Sequence, residues 1–244
     1  MPALGKLVQI EARLFLRDPM SFTIGLLLPS VILLGLGAIP ALREPSPDMG
    51  GQRFIDYFAP SALVMAVAVV GLTNLPAVLA TYRERGVLRR MRTTPVHPAK
   101  LLLAQMIVNL AAALASAVLV VVSGKLVFDV PMPQRPIGFA IAFVLGISSV
   151  FAIGMLVAAV APTSRAASGL TTVLFMSVMF FGGVYLPRFM LPDAIARVGD
   201  YVPPGVQSLL DAWTGTAPAA APLAVMAATA IAAGALAARI FKWE

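Results

Sequence analysis

The sequence predicts an all-α membrane protein built as a bundle of six transmembrane helices. Hydrophobic residues make up 59% of the 244 positions and charged residues only 12%, a composition far from that of soluble domains. The charged residues are clustered and leave six charge-free windows, each longer than the roughly 20 residues that a helix needs to cross a bilayer. Windows this long and uniformly apolar lack the alternation of barrel strands, so the spans should be helices.

The chain opens with an amphipathic pattern. A helix over residues 1–18 would have one apolar face, with Glu11 at its edge, and one basic and polar face. We expect an interfacial helix that lies in the headgroup plane until Pro19 turns the chain into the membrane. A secretory signal is the alternative interpretation, but Glu11, Arg13 and Arg17 interrupt the apolar core that such a signal needs.

Six spans should follow, over residues 21–42, 57–81, 101–123, 137–161, 166–186 and 219–238. Pro29 and Pro76 fall inside two of them, where a proline kinks a helix or leaves a carbonyl without its donor. No Asp, Glu, Lys or Arg falls within these ranges. The candidates for lining a pathway or bridging helices are Asn74, Gln105 and Asn109. Such polar residues bridge helices more often than they bind substrate.

The connection between the fifth and sixth spans, over residues 187–215, has a pattern of its own. Leu191, Ile195 and Val198 are spaced as one short helical face, and Leu209, Leu210 and Trp213 as another. Each piece is too short to cross the bilayer, so we expect two short re-entrant helices that dip into it from the outer surface. A structured external loop with Trp213 as an aromatic anchor is an equal alternative.

Lysines and arginines divide unevenly between the two sides of the predicted bundle. With the N-terminus in the cytoplasm, twelve of them lie on the cytoplasmic side and six lie outside. This division obeys the positive-inside rule, so both termini should be cytoplasmic in a multi-pass protein of the cytoplasmic membrane. The net charge of +7 is then a topology signal, and nucleic acid is not expected as a partner.

Several catalytic classes are excluded because their motifs are missing. The sequence contains no G-x-x-x-x-G-K-[ST], so it cannot bind ATP through a P-loop. It has no cysteine and a single histidine, His97, which rules out thiolate and multi-histidine metal sites. A G-x-S-x-G motif is also missing. We therefore expect one domain over residues 1–244, without catalytic residues, metal or cofactor of its own.

A compact basic segment over residues 82–98 separates the second and third predicted spans. A helix here would have an apolar face of Val87, Leu88 and Met91 and a basic face of Arg85, Arg89 and Arg92. The prolines that follow, Pro95 and Pro98, would end it. Such a helix can seat its apolar face in a partner's groove. An arginine collar on an anionic leaflet is the alternative.

This segment resembles the coupling-helix signature of the type-2 ABC exporter permeases, E-R-E-x-G-T-L-x-x-L-x-x-T-P-V. The matching positions are Arg83, Glu84, Arg85, Gly86, Leu88, Met91, Thr94, Pro95 and Val96. Two positions depart from it, because Val87 replaces the usual Thr and Tyr82 stands where an acid is common. A second family motif, F-x-G-V-x-x-P, matches Phe181, Gly183, Val184 and Pro187, and it leads into the external helices that contain Pro192 and Trp213.

The resemblance implies a permease that works as a dimer, with a second copy or with a paralogous permease. Each permease would bind a separate ABC ATPase subunit, two copies per complex, and that subunit would hold ATP and Mg. The implied contact with the ATPase consists of Arg83, Glu84, Arg85, Gly86, Val87, Leu88, Arg89, Met91, Arg92, Thr94 and Pro95.

The small size and short loops are most similar to the daunorubicin-type exporters. This similarity implies export of an amphipathic drug or lipid-like molecule and a link to antibiotic resistance. A polysaccharide or glycolipid exporter of the same class is the nearest alternative, but its channel is often richer in aromatics than four Tyr and two Trp allow. Two other classes are a proton-coupled exporter, which uncharged spans disfavour, and a non-transporting membrane scaffold, which the external helices disfavour.

Overall fold

The computed structural model describes residues 3–49, 51–87, 90, 99–185 and 190–241. Within these ranges six helices are long and apolar enough to cross a membrane, which confirms the predicted all-α, six-span fold. They are α2 (Pro19–Gly37), α3 (Phe54–Glu84), α4 (Ala99–Phe128), α5 (Pro136–Val160), α6 (Ser164–Phe181) and α9 (Ala220–Ile240). We call the end of the bundle where α3 ends and α4 begins the terminal end, since α9 also ends there, and the opposite end the distal end.

A separate helix precedes the first span, as the amphipathic pattern predicts. This helix, α1 (Ala3–Arg17), is followed directly by Asp18, which is the N-cap of α2. The Asp18 carboxylate accepts hydrogen bonds from the backbone N–H groups of Met20 and Ser21, a cap that stabilises a helix by about 1 kcal/mol. A hydrogen bond from the Ser21 hydroxyl lowers the pKa of Asp18, since the charged carboxylate accepts it. The cap therefore begins a new helix directly after α1.

The prolines inside the spans are accommodated by π-helical turns. Segments Thr23–Leu27 and Val69–Asn74 are π-helical and lie just before Pro29 and Pro76. At their ends the N–H of Leu28 donates to the oxygen of Thr23, and that of Leu75 to Val70, five residues back instead of four. The wider turns ease the helix past a residue that has no N–H of its own. The sequence predicts a distorted helix at these two prolines, and the distortion takes the form of a π-helical turn.

Helix α3 is the centre of the bundle. In its most apolar window 78% of the residues are buried, against 22–44% in the windows of the other spans. Its π-helical turn lies against α5, where a Cβ added to Gly154 would be 2.1 Å from the carbonyl oxygen of Gly71. Only a glycine permits this approach, so the two backbones are in direct contact at this point.

The distal connection contains the two predicted short helices, α7 (Asp193–Gly199) and α8 (Val206–Thr214). Trp213 is only 4% exposed, and its ring packs edge-on against Phe139 of α5 with centroids 5.6 Å apart. The aromatic side chain therefore holds α8 against the bundle. Pro192 is the N-cap of α7, whereas Pro187 lies outside the described residues.

The predicted end of the fifth span, at residue 186, is wrong. Helix α6 ends at Phe181, because Gly183 adopts a φ of 69° that a helix cannot continue. The N–H of Val184 then donates to the oxygen of Met179 and closes the last turn. The F-x-G-V part of the motif is thus the C-terminal stop of α6.

We predict that Gly154→Ala destabilises the bundle, because the added methyl group would overlap the Gly71 carbonyl. Overpacking of this kind costs about 1–3 kcal/mol. The matched control is Gly169→Ala in α6, where no atom lies within 4 Å of the added Cβ. Thermal unfolding of the two variants in detergent should show a lower midpoint for the first alone, and equal midpoints would contradict the close approach of α3 and α5.

Candidate functional site

Three consecutive side chains at the terminal end of α3 contact different parts of the bundle. We call Tyr82, Arg83 and Glu84 the contact triplet. Neighbouring residues on a helix point about 100° apart, since a turn takes 3.6 residues. Three in a row therefore cover most of the circumference, and at the end of a central helix they can reach separate neighbours. The sequence predicts two of them, Arg83 and Glu84, as ATPase contacts.

Tyr82 joins α3 to α1 and α4. Its hydroxyl donates a hydrogen bond of 2.7 Å to Oε2 of Glu11, and Nε2 of Gln105 donates one of 2.5 Å to the same oxygen. Glu11 is only 5% exposed, so these two donors compensate for the water that its carboxylate has lost. Burial raises the pKa of Glu11, and the hydrogen bond from Tyr82 opposes this shift. A residue of α1 thus enters the bundle.

The hydrogen bonds continue from Gln105 into the membrane-spanning region. Asn109 Nδ2 donates to Gln105 Oε1 at 3.0 Å, and Asn74 Nδ2 donates to Asn109 Oδ1 at 2.7 Å. Ser21 Oγ lies 2.8 Å from Asn74 Oδ1, within hydrogen-bond distance, and its one proton can go either to this oxygen or to Asp18. The structure therefore brings the three predicted amide residues together, and they bridge α2, α3 and α4. We call these connected side chains the polar chain; its members are Glu11, Tyr82, Gln105, Asn109, Asn74 and Ser21.

Arg83 caps the end of α5. Its guanidinium donates hydrogen bonds of 2.7 Å to the carbonyl oxygens of Ala158 and Ala161. The last carbonyls of a helix have no partner within it, and they carry the negative end of its dipole. The guanidinium carbon also lies 5.3 Å from the ring centroid of Phe241, just after α9, within the range of a cation–π contact. One side chain thus joins α3, α5 and the end of α9.

Glu84 bonds to the start of α6. Its two carboxylate oxygens accept hydrogen bonds from Ser164, at 2.8 Å from the backbone N–H and 2.7 Å from the hydroxyl. Ser164 is the first residue of α6, where the helix dipole is positive and favours a carboxylate. Arg83 and Glu84 therefore hold the two ends of the α5–α6 turn. The positive side chain lies at the negative end of the α5 dipole, and the negative side chain lies at the positive end of the α6 dipole.

The chain beyond the triplet turns away from α3. Arg85 is exposed and ends the helix, and Gly86 adopts a φ of 66°, a left-handed conformation that favours glycine. The N–H of Arg90 donates to the Gly86 carbonyl at 3.0 Å, as in one helical turn. Val87 packs against the main core cluster. The other predicted coupling residues, Leu88, Arg89, Met91, Arg92, Thr94 and Pro95, lie outside the described residues, so their helical faces stay a prediction.

A polar cavity of about 430 Å³ lies beside the polar chain, between α1, α2, α3 and α4. Its polar lining comprises Glu11, Asp18, Ser21, Asn74, Thr81, Tyr82, Arg85 and Gln105, and its apolar lining Leu14, Phe15, Ala77 and Val78. The cavity can therefore accept a group with both polar and apolar parts. Among the described residues, no three His, Asp or Glu side chains are grouped so that they could hold a metal ion.

The partners of the triplet could not be predicted from the sequence. Glu11 is predicted at the edge of the apolar face of α1, but not as a hydrogen-bond acceptor inside the bundle. The capping roles of Arg83 and Glu84 have one sequence signal, a basic and an acidic residue adjacent at a helix end. That signal does not tell which helices lie near them.

The comparison with known families gives one match. A family model described as ABC-2 type transporter matches residues 3–204, which include α1 to α7, the contact triplet and the polar chain. No curated protein matches the chain.

We predict that the stability of the protein depends on pH through Glu11. Its pKa is raised above the usual 4.5 in the folded state, so its contribution to stability is present at low pH and is lost as pH rises through the raised pKa. The melting temperature should therefore fall relative to that of Glu11→Gln as pH increases above 4.5. Glu44→Gln, in an exposed turn, is the control. A difference between wild type and Glu11→Gln that does not vary with pH would contradict the burial of this carboxyl.

Proposed function

The chain belongs to the ABC-2 type transporter family and is a permease subunit of such a transporter, and we propose that it works as an exporter driven by a separate ATPase subunit. ATP and Mg would be held by that partner, in two copies per complex, and the permease would pair with a second copy or a paralogue. In the cytoplasmic membrane, the terminal end of the bundle would face the cytoplasm with both chain termini.

The observation that carries this proposal is the contact triplet. A partner that pushes on the segment after Gly86 would move the end of α3, and through it α1, α4, α5 and α6, because Tyr82, Arg83 and Glu84 hydrogen-bond to those helices. Helices packed by such contacts move as bodies, since a close-packed interior deforms little. A short segment could then reshape most of the bundle when the partner closes on ATP.

We propose an amphipathic substrate, drug-like or lipid-like. The polar cavity supports this class because carboxylates and amides lie beside Leu14, Phe15 and Val78. A polysaccharide or glycolipid would need a longer row of aromatic side chains, and the chain has only four Tyr and two Trp. That class is the alternative within the same family.

A proton-coupled exporter is the second candidate, and one observation favours it. Glu11 places a buried carboxyl with a raised pKa next to Gln105 of the third span. Such a group can take up and release a proton. Transport that stops when an uncoupler dissipates the proton gradient, at constant ATP, would support this candidate, and transport that continues would support ATP-driven export.

We predict that Leu88→Asp and Met91→Asp each abolish the stimulation of the partner's ATPase activity while the permease still inserts. A carboxylate on the apolar face could not seat in a hydrophobic groove. The matched control is Arg90→Gln, which removes a charge from the same segment but changes neither the apolar face nor a residue of the implied contact. ATPase assays on the reconstituted complex measure both, and full stimulation in either Asp variant would remove the coupling assignment.

We also predict that Arg83→Gln and Glu84→Gln each uncouple the motor from transport. The partner should still bind and hydrolyse ATP, because the side chains of Arg83 and Glu84 are engaged with α5 and α6 and the segment beyond Gly86 is unchanged. The substrate exported per ATP hydrolysed should therefore fall, because movement of the segment would no longer be passed to α5 and α6.

Arg135→Gln is the control for these two variants. Its Nε donates a hydrogen bond of 2.7 Å to the carbonyl oxygen of Gly215 at the distal end of the bundle, which is the opposite end from the triplet. A triplet variant that exports as much substrate per ATP as this control would show that the triplet does not transmit the movement.

A further inference from the structure

An apolar groove of about 820 Å³ runs along the outside of the bundle, between α4, α5 and α9. Most of its wall is leucine, methionine, isoleucine, phenylalanine and alanine. The one hydroxyl in its wall, Ser148, already donates a hydrogen bond to the carbonyl of Val144 at 2.7 Å. Leu103 and Val144 on the wall are 46% and 60% exposed. Since the groove lies along three membrane spans and offers no unpaired polar group, its occupant must be hydrocarbon.

The length of the groove corresponds to one leaflet. On α4 its wall extends from Leu102 to Leu114, which lie 12 positions apart, or about 18 Å at about 1.5 Å per residue. On α5 and α9 it covers residues 143–155 and 230–241. Half of a hydrocarbon core of about 30 Å is about 15 Å. The groove therefore begins at the terminal end of the bundle and stops near the middle of the membrane.

Small side chains on α9 create the space. Ala230, Gly234, Ala237 and Ala238 face the groove, and the nearest atom to a Cβ added at Gly234 is the Ala152 methyl group, 3.9 Å away. The larger side chains of α4 and α5 form the other two walls. The groove is thus wide enough for a chain of methylene groups, and none of the described residues that line it is a carboxylate.

The mouth of the groove is basic. Lys100 is exposed in the first turn of α4, one turn before Leu103 and two before Ile107 of the wall. The guanidinium of Arg83 lies 5.3 Å from the ring of Phe241, which closes the wall at this end. A lysine at the height of the headgroups attracts an anionic lipid. Charge at the mouth and hydrocarbon walls below it match the two parts of a phospholipid.

We propose that this groove binds one acyl chain of an anionic phospholipid from the leaflet at the terminal end, with its headgroup at Lys100. In the orientation proposed above this is the cytoplasmic leaflet. A helix from a second copy of the chain fits less well, because a transmembrane helix crosses both leaflets and the groove covers only one. The bound lipid would fill the gap between α4 and α9 and hold these spans apart.

The test uses the full-length permease in vesicles of phosphatidylcholine and phosphatidylglycerol that carry a nitroxide on one acyl chain. Electron paramagnetic resonance counts the motionally restricted lipids per copy. Ala238→Phe fills the groove, and Ala235→Phe makes the same change on an exposed face of α9 that does not line it. We expect one fewer restricted chain in Ala238→Phe and no change in Ala235→Phe.

Two further variants complete the test. Gly234→Leu, where an added Cβ meets no atom closer than 3.9 Å, should lose the same lipid and serves if Ala238→Phe does not fold. Lys100→Gln should keep the chain but lose the preference for phosphatidylglycerol, by roughly fivefold, equivalent to about 1 kcal/mol for one charge. An unchanged lipid count in both groove variants would overturn the proposal. The proposal would also be overturned if these variants lost the dimer while the lipid count stayed constant. That result would identify a second copy of the chain as the occupant of the groove. No ATPase or transport is measured, so the outcome is independent of the proposed function.

Discussion

The structure depends on the hydrogen bonds that the free backbone groups at its helix ends make at the terminal end of the bundle. The last carbonyls of α5 and the first N–H groups of α6 have no partners within their own helices. Arg83 and Glu84, adjacent on α3, bond to these ends with charges that match the helix dipoles. Arg83 and Glu84 lie in the last turn of α3, the most buried span, so they fix the α5–α6 turn to the centre of the bundle. The rest of the basic segment follows directly after these two residues.

The polar chain gives α1 a second role. A helix that only lay on the membrane would need no hydrogen bond to the spans, but Glu11 accepts from Tyr82 and Gln105. Inside an apolar bundle such bonds are strong and leaving one unmade is costly, so they select a single arrangement of α1, α3 and α4. The contact triplet and the polar chain share Tyr82, and α1 is therefore tied to the same joint as α5 and α6.

The parts of the fold that depend on composition and length could be predicted from the sequence. Six charge-free windows predict six spans, because crossing hydrocarbon needs little more than enough apolar residues. The ends were less accurate: α4 continues to Phe128, beyond the predicted residue 123, and α6 stops at Phe181 where Gly183 turns left-handed. The site was only half predictable. Asn74, Gln105 and Asn109 could be predicted because they are amides in apolar spans. The bonds of Glu11 to Tyr82 and to Gln105 could not, since they join residues 71 and 94 positions apart. The periodicity of a sequence carries no information on such distant pairs.

The most direct test of the central claim, that the contact triplet makes the end of α3 and the α5–α6 turn one rigid unit, is a distance between them. The chain has no cysteine, so spin labels on Arg85→Cys and Arg165→Cys would report only these exposed positions. Electron paramagnetic resonance of the doubly labelled permease should give one narrow distance distribution, which broadens when Arg83→Gln and Glu84→Gln are added. A distribution of equal width with and without these two changes would contradict the claim.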